Sequence, residues 1–153
     1  MSPTTRTLPD GPLAFTAARS LRPRRRVLVA EEDPEVREAL SILLTNQGYE
    51  VVAVRAAHEL LAALEDTQLL PEQVPSFHAV VCDVTLAGTG RAPLLSLLRR
   101  MSPSVPLVVM TSPDDPLTQA EAFRRAADAV MDKPIDPAHL LTVLRIIAPP
   151  EGY

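Results

Sequence analysis

Four places in the chain hold residue types suited to phosphate or to a hard metal ion. Glu31 and Glu32 follow the apolar run Val27-Leu28-Val29-Ala30, and Asp83 follows Ala79-Val80-Val81-Cys82. Thr111 and Ser112 follow Val108-Val109-Met110, and Lys133 ends the run Ala-Val-Met-Asp-Lys before Pro134. Lys133 is the only lysine, against fourteen arginines. Its compact ammonium and the planar guanidinium fork are not interchangeable at a tight anionic site. Three crowded carboxylates repel, and one would take up a proton unless a cation intervened. Lys133 offsets one charge, and a hard divalent cation, best Mg²⁺, would offset the rest through oxygen ligands and waters. A carboxylate so placed can attack phosphorus, while metal, ammonium and a hydroxyl such as that of Thr111 neutralise the phosphoryl oxygens. Taken singly, each residue has an ordinary explanation as a loop acid, a strand-end cap or a β-former. The chemistry requires a fold that gathers them.

The chain carries such a fold in its pattern. Short, mostly Val-rich runs over 26–31, 50–54, 78–82, 106–111 and 129–132 lack strict alternation, as strands buried on both faces do. Helical periodicity separates them. Val36, Ala39, Leu40, Leu43 and Leu44 share a face in 34–47, and further helices are expected over 56–66, 92–100, 116–127 and 137–147. Asp33-Pro34, Asp115-Pro116 and Asp136-Pro137 repeat one helix-start grammar, an Asp N-cap with Pro at the first helical position. Residues 67–77 form a longer connection interrupted by Pro. Five β-then-α units imply an open, doubly wound α/β sheet, in which ligands bind beyond the carboxyl ends of the strands. That rule delivers Glu31, Glu32, Asp83, Thr111, Ser112 and Lys133 to one edge.

Composition narrows the class. A chain of 153 residues, 46% hydrophobic and with a net charge of −4, suits one globular domain. Residues 1–26 carry a net +5 and the remainder a net −9. An acidic body argues against a nucleic-acid groove on the domain. Residues 1–25, broken by Pro3, Pro9, Gly11, Pro12 and Pro23, read as a disordered basic arm. The arm is either a solvated tail or an electrostatic contact for an acidic partner or nucleic acid. A domain over 26–148 and a short tail over 149–153 follow. One cysteine, Cys82, excludes an internal disulfide and suits a reducing cytoplasm. No apolar stretch approaches a membrane span, and the arm lacks the apolar core of a signal peptide. His58, His78 and His139 lack metal-ligand spacing and read as surface or loop residues. Cys82 reads as core packing. No Gly-rich phosphate loop follows the first strand.

Residues 26–147 resemble the receiver domain of bacterial two-component response regulators. Arg-Val-Leu-Val-Ala-Glu-Glu-Asp-Pro-Glu-Val-Arg is similar to the family's first strand, acidic pair and first helix. Val-Val-Cys-Asp-Val-Thr-Leu-Ala is similar to its phosphoacceptor strand, Val-Val-Met-Thr-Ser to its hydroxyl-bearing strand, and Ala-Ala-Asp-Ala-Val-Met-Asp-Lys-Pro to its lysine motif. The resemblance implies a flavodoxin-like (βα)5 fold with a five-stranded parallel sheet. It implies Asp83 as acceptor of a phosphoryl group from a histidine kinase or phosphotransfer protein. Mg²⁺ would be held by Glu31, Glu32, Asp83 and the backbone carbonyl of Thr85. Thr111 and Lys133 would stabilise the phosphoryl group, and the Lys133-Pro134 bond would be cis. A downstream protein would dock on the fourth helix (116–127), fifth strand (129–132) and fifth helix (137–147), near Arg124, Arg125 and Asp128.

The chain departs from the family pattern at several positions. Both members of the acidic pair are Glu. Ala87 stands for the usual Pro and Arg91 for the usual Gly, with Gly88 and Gly90 nearby. Ala126 replaces a Gly, and Val130 replaces the aromatic switch residue. Three functions are therefore in play. The first is a cytoplasmic stand-alone receiver, not an enzyme, with no output domain after residue 153. The second is a pseudo-receiver that binds partners without phosphorylation. The third is a haloacid-dehalogenase-type phosphatase, which would normally carry its nucleophilic Asp after the first strand.

Overall fold

The computed structural model describes residues 24–68, 77–86, 91–112 and 127–150. Five strands, β1 (Arg26–Ala30), β2 (Glu50–Val54), β3 (Ala79–Asp83), β4 (Leu107–Thr111) and β5 (Ala129–Asp132), form one sheet in the order β2-β1-β3-β4-β5. Every pairing is parallel. Among the described residues four helices accompany them: α1 (Pro34–Asn46), α2 (Ala57–Gln68), α3 (Arg91–Met101) and α4 (Pro137–Ile147). This is the doubly wound sheet expected from the β-then-α alternation, in the flavodoxin-like order that the resemblance implies. The helix expected over 116–127, with Arg124, Arg125 and Ala126, lies outside the described residues. So do residues 1–23, most of the 67–77 connection, Ala87, Gly88 and Gly90, and the end of the tail.

Burial follows strand position. β3 and β4 are buried throughout, and β1 is buried after Arg26, which explains their unbroken apolar runs. The edge strands β2 and β5 are only partly buried, with Glu50, Ala53 and Asp132 exposed. Leu28, Ala30, Val80, Cys82 and Val109 pack with α2 and α3 on one face. Val27, Val29, Val81, Met110 and Met131 pack with Leu40, Leu44, Leu140 and Leu144 of α1 and α4 on the other. Tyr49 closes the second core, its hydroxyl donating to the Ala148 carbonyl at 2.8 Å.

Local sequence sets the helix ends. Asp33 and Asp136 each precede a Pro at the first helical position. Each accepts a hydrogen bond from the backbone two residues on, Glu35 N at 2.9 Å and Ala138 N at 3.0 Å. After α1, Gly48 turns the chain at φ +96°, a conformation that favours glycine. The sheet is stitched from before its first strand, since the Arg25 carbonyl accepts from Glu50 N at 2.9 Å. His78 is not a free loop residue: half-buried, its Nδ1 accepts from Arg26 N at 2.9 Å, because both stand where β1 and β3 begin side by side. His58 and His139 are exposed. Among the described residues no helix is long and apolar enough to cross a membrane.

Candidate functional site

The carboxyl ends of β1, β3 and β5 deliver three side chains to one point. Successive strand residues face opposite sides, so the row Val29, Val81 and Met131, packed on the α1/α4 face, continues two residues on as Glu31, Asp83 and Lys133. Lys133 Nζ donates to Asp83 Oδ2 at 2.8 Å and to Glu31 Oε1 at 2.9 Å. Glu31 and Asp83 are almost wholly buried, at 1% and 2% exposure. The Lys133 peptide N–H donates to the Thr111 carbonyl at 2.8 Å, which anchors the turn, and the Lys133–Pro134 bond is cis.

Each carboxylate has further partners. Asp83 Oδ1 accepts from Thr85 N at 2.8 Å and from the Thr85 hydroxyl at 2.7 Å, so both Asp83 oxygens are engaged. Glu31 Oε1 also accepts from Asp33 N at 3.3 Å. Glu31 Oε2 lies 2.8 Å from Nζ as an ion pair, yet it is buried and accepts no hydrogen bond of its own. Arg37 on α1 donates through Nη1 to the carbonyls of Glu31 at 3.0 Å and Glu32 at 3.2 Å, drawing the acidic turn onto the helix.

Charge is unequally distributed between the two acids. Burial pushes the Glu31 carboxyl up; the Lys133 hydrogen bond opposes this, and the Asp83 charge reinforces it. Burial also acts upward on Asp83, but hydrogen bonds from Lys133 and Thr85 together hold its carboxyl below the usual range. Burial would depress Lys133, yet the bonds from Asp83 and Glu31 raise it. Asp83 is thus the anion that the site stabilises. Glu31 is the acid with one oxygen held by the ion pair alone.

Two expected members stand apart. Glu32 is exposed on the turn, because the residue after Glu31 falls on the other side of the chain. Among the described residues no three acidic, His or Cys side chains gather as a metal cluster, so two carboxylates converge here rather than three. Thr111 is buried, but its hydroxyl donates to Asp132 Oδ1 at 3.3 Å rather than to Asp83. It belongs to the opposite row, two residues after Val109. Val130 is half-buried against the α2/α3 core. Sequence reasoning missed Arg37, Asp132 and the hydroxyl of Thr85. Their only signals were their places: Arg37 four residues past Asp33 on the first helix, Asp132 just before Lys133, and Thr85 two past Asp83.

A hard cation suits the chemistry of these donors. Two buried carboxylates share one ammonium, so the negative charge exceeds the positive, and buried Glu31 Oε2 is engaged only by its ion pair with Lys133 Nζ at 2.8 Å. Every nearby side-chain donor to a metal is oxygen, which fits Mg²⁺ rather than a softer ion.

Comparison with known proteins agrees with this geometry. Residues 27–145 match the model of the response regulator receiver domain. The chain is 33% identical over 119 residues to the response regulator protein FleR of Pseudomonas aeruginosa, covering 78% of this chain and 24% of that protein. It is 28% identical over 122 residues to the DNA-binding response regulator MtrA of Mycolicibacterium smegmatis, covering 80% of this chain and 50% of that protein. The chain therefore spans half or less of the length of these relatives. Among solved structures, a CheY-like receiver domain protein from Methanospirillum hungatei superposes with a TM-score of 0.69 at 23% identity, over 80% of this chain and 91% of that one. A response regulator structure from Chloroflexus aurantiacus gives a TM-score of 0.69 at 25% identity, over 80% and 96%. The chain belongs to the response regulator receiver domain family of two-component phosphorelay signalling.

Proposed function

We propose that this receiver accepts a phosphoryl group on Asp83 from the phosphohistidine of a histidine kinase or phosphotransfer protein, and signals by altered binding to a protein partner. The observation that carries this reading is Lys133 Nζ bridging Asp83 and Glu31 beyond the carboxyl end of the central strand, β3. An Asp83 oxygen attacks phosphorus. The new O–P bond forms as the P–N bond breaks, and the leaving electron pair stays on the imidazole nitrogen. Lys133 holds Asp83 ionised before transfer and pairs with the phosphoryl oxygens after it, while Glu31 keeps the ammonium in place. Thr85 orients the acceptor carboxylate through two donors. Thr111 supplies a further donor once its hydroxyl turns from Asp132.

Glu31, Asp83 and the Thr85 carbonyl would hold Mg²⁺, which receiver domains generally use for phosphorylation, and Glu32 would join them only if its turn folded inward. When bound, it neutralises charge on the transferring phosphoryl group. The receiver unit spans 26–148, with the basic arm before it and the tail after it. The downstream partner docks on β5 and α4 together with the segment 116–127, in the cytoplasm. Val130 leaves this face without the aromatic ring common in the family.

One observation favours a second reading, a pseudo-receiver that binds partners without phosphorylation. Glu32, the expected direct metal ligand, stands outside the cluster. Incubation with acetyl phosphate and Mg²⁺, read by intact mass, separates the two. The receiver reading expects one phosphoryl adduct that is absent in Asp83→Asn. An unmodified wild-type chain would establish the pseudo-receiver.

A further inference from the structure

The acidic turn between β1 and α1 is anchored at both ends. Glu31 N donates to the Val54 carbonyl at 3.0 Å, and Arg37 N donates to the Asp33 carbonyl at 2.9 Å. Between these anchors two peptide carbonyls turn to a single atom. Arg37 Nη1 donates to Glu31 O at 3.0 Å and to Glu32 O at 3.2 Å. Each peptide is a rigid plane, so a held carbonyl fixes the plane that carries it. These two planes are the ones on either side of the Glu32 Cα, and together they set the direction of its side chain. That side chain stands exposed, whereas Glu31 is buried beside Lys133. Among the described residues no hydrogen bond or ion pair holds the Glu32 carboxylate itself, so the backbone is what keeps it out.

We infer that Arg37 is a positioning residue: by holding both peptides that flank Glu32 it keeps this carboxylate outside the site, and so limits how tightly the chain takes Mg²⁺. The inference rests on the metal-binding part of the receiver reading. Bringing Glu32 inward requires both peptides to rotate, which breaks both bonds to Nη1. Those bonds come from a charged, half-buried donor, so they are stronger than neutral ones and only partly screened by water. Charge acts in the same direction. Lys133 already counters Glu31 and Asp83, and the Arg37 guanidinium places a second cation beside the acidic turn, where it repels a third.

The test is a titration of the full chain with Mg²⁺ alone, followed by the NMR shifts of the Asp33 and Thr85 amides, in wild type, Arg37→Met, Glu32→Gln and the double variant. Arg37→Met is expected to bind Mg²⁺ roughly three- to tenfold more tightly than wild type. Most of that gain is expected to vanish in the Glu32→Gln background, since the Glu32 carboxylate carries it. Two further chains do not depend on how well Arg37→Met folds. Glu32→Gln alone is expected to change affinity by less than about twofold, because an exposed carboxylate adds little. Arg37→Lys is expected to match wild type, because one nitrogen serves both carbonyls and an ammonium has three donors. Unchanged or weaker binding in Arg37→Met, an undiminished gain in the double variant, or a loss of about tenfold in Glu32→Gln alone would overturn the inference and leave the receiver reading intact. Amide shifts that ignore Mg²⁺ in every chain would remove the inference and the metal-binding part of that reading together.

Discussion

Lys133 Nζ sits astride the Glu31 carboxylate, 2.9 Å from Oε1 and 2.8 Å from Oε2, while it also reaches Asp83 Oδ2 at 2.8 Å. One ammonium therefore serves two buried acids. A Glu at this position is long enough to meet the lysine directly, so the extra methylene reaches the centre of the site instead of displacing it.

Lys133→Met should leave two buried carboxylates with no counter-charge. Removing one partner of a buried pair is costly because the other charge is stranded. Lys133 keeps 29% of its side chain exposed, so screening reduces the loss to about 1–3 kcal/mol. In the wild type Asp83 has a depressed carboxyl pKa, so its contribution is present above the ordinary value of about 3.9 and is lost as pH falls through the folded value. Glu31 is raised and acts oppositely: its contribution is present below about 4.3 and is lost as pH rises through its folded value. Lys133→Met should abolish the Asp83 gain. Urea denaturation at several pH values should then show a larger deficit at pH 8 than at pH 4. An equal deficit at both would mean that the ammonium acts only by packing.

Arg37→Met tests what shapes the acidic turn. Its guanidinium donates to two carbonyls of residues 31 and 32. Bonds from charged donors contribute more than neutral ones, but the partial exposure of Arg37 limits the loss to about 1 kcal/mol. The more specific outcome is local. Hydrogen exchange at the Asp33 amide, which donates to Glu31 Oε1, should quicken while exchange in β3 and β4 does not. Uniform quickening across the sheet would assign Arg37 a global role instead.

The fold was legible where periodicity and punctuation agreed. Apolar runs marked β1, β3 and β4, and Asp-Pro marked the starts of α1 and α4. The site was legible as far as the strand-end rule reaches, which brought Glu31, Asp83 and Lys133 together. It stops short for Glu32 and Thr111, because the rule says which residues reach the edge, not which side they face. Side follows from the period of two: Glu31, Asp83 and Lys133 continue one row and Thr111 the other. Asp132 was hidden for a different reason. Its partner is set by the β4–β5 register, which no local pattern encodes.

Tyr49→Phe should cost about 1–2 kcal/mol, since it strands the buried Ala148 carbonyl that ties the α1–β2 turn to the end of α4. Burial raises the Tyr49 phenol above its ordinary value of about 10, and the Arg145 and Arg25 charges only partly oppose this. A raised pKa favours the neutral folded form, so the contribution is complete below about 10 and lost as pH climbs through the folded value. Lys133, also raised, acts in the same direction. Chemical denaturation between pH 8 and pH 11 should show the wild type losing stability faster than Tyr49→Phe. Parallel curves would show that the phenol is not protected.

Cys82 is fully buried in β3, beside the acceptor Asp83 but in the opposite row, packed with Ala30, Val80 and Val109. Burial pushes its thiol well above the usual range, and the Asp83 and Glu31 charges add to this. The thiolate is the reactive form, so the native chain should resist a thiol reagent at pH 8 and react fully once denatured. Asp83→Asn separates the causes. It removes one charge but leaves the strand buried, so the thiol should remain protected. Protection lost in Asp83→Asn, without a matching drop in global stability, would show that the charges rather than the strand's burial keep the thiol inert. Protection retained would make Cys82 a reporter of β3 opening, with its labelling rate set by how often the strand that carries the acceptor leaves the sheet.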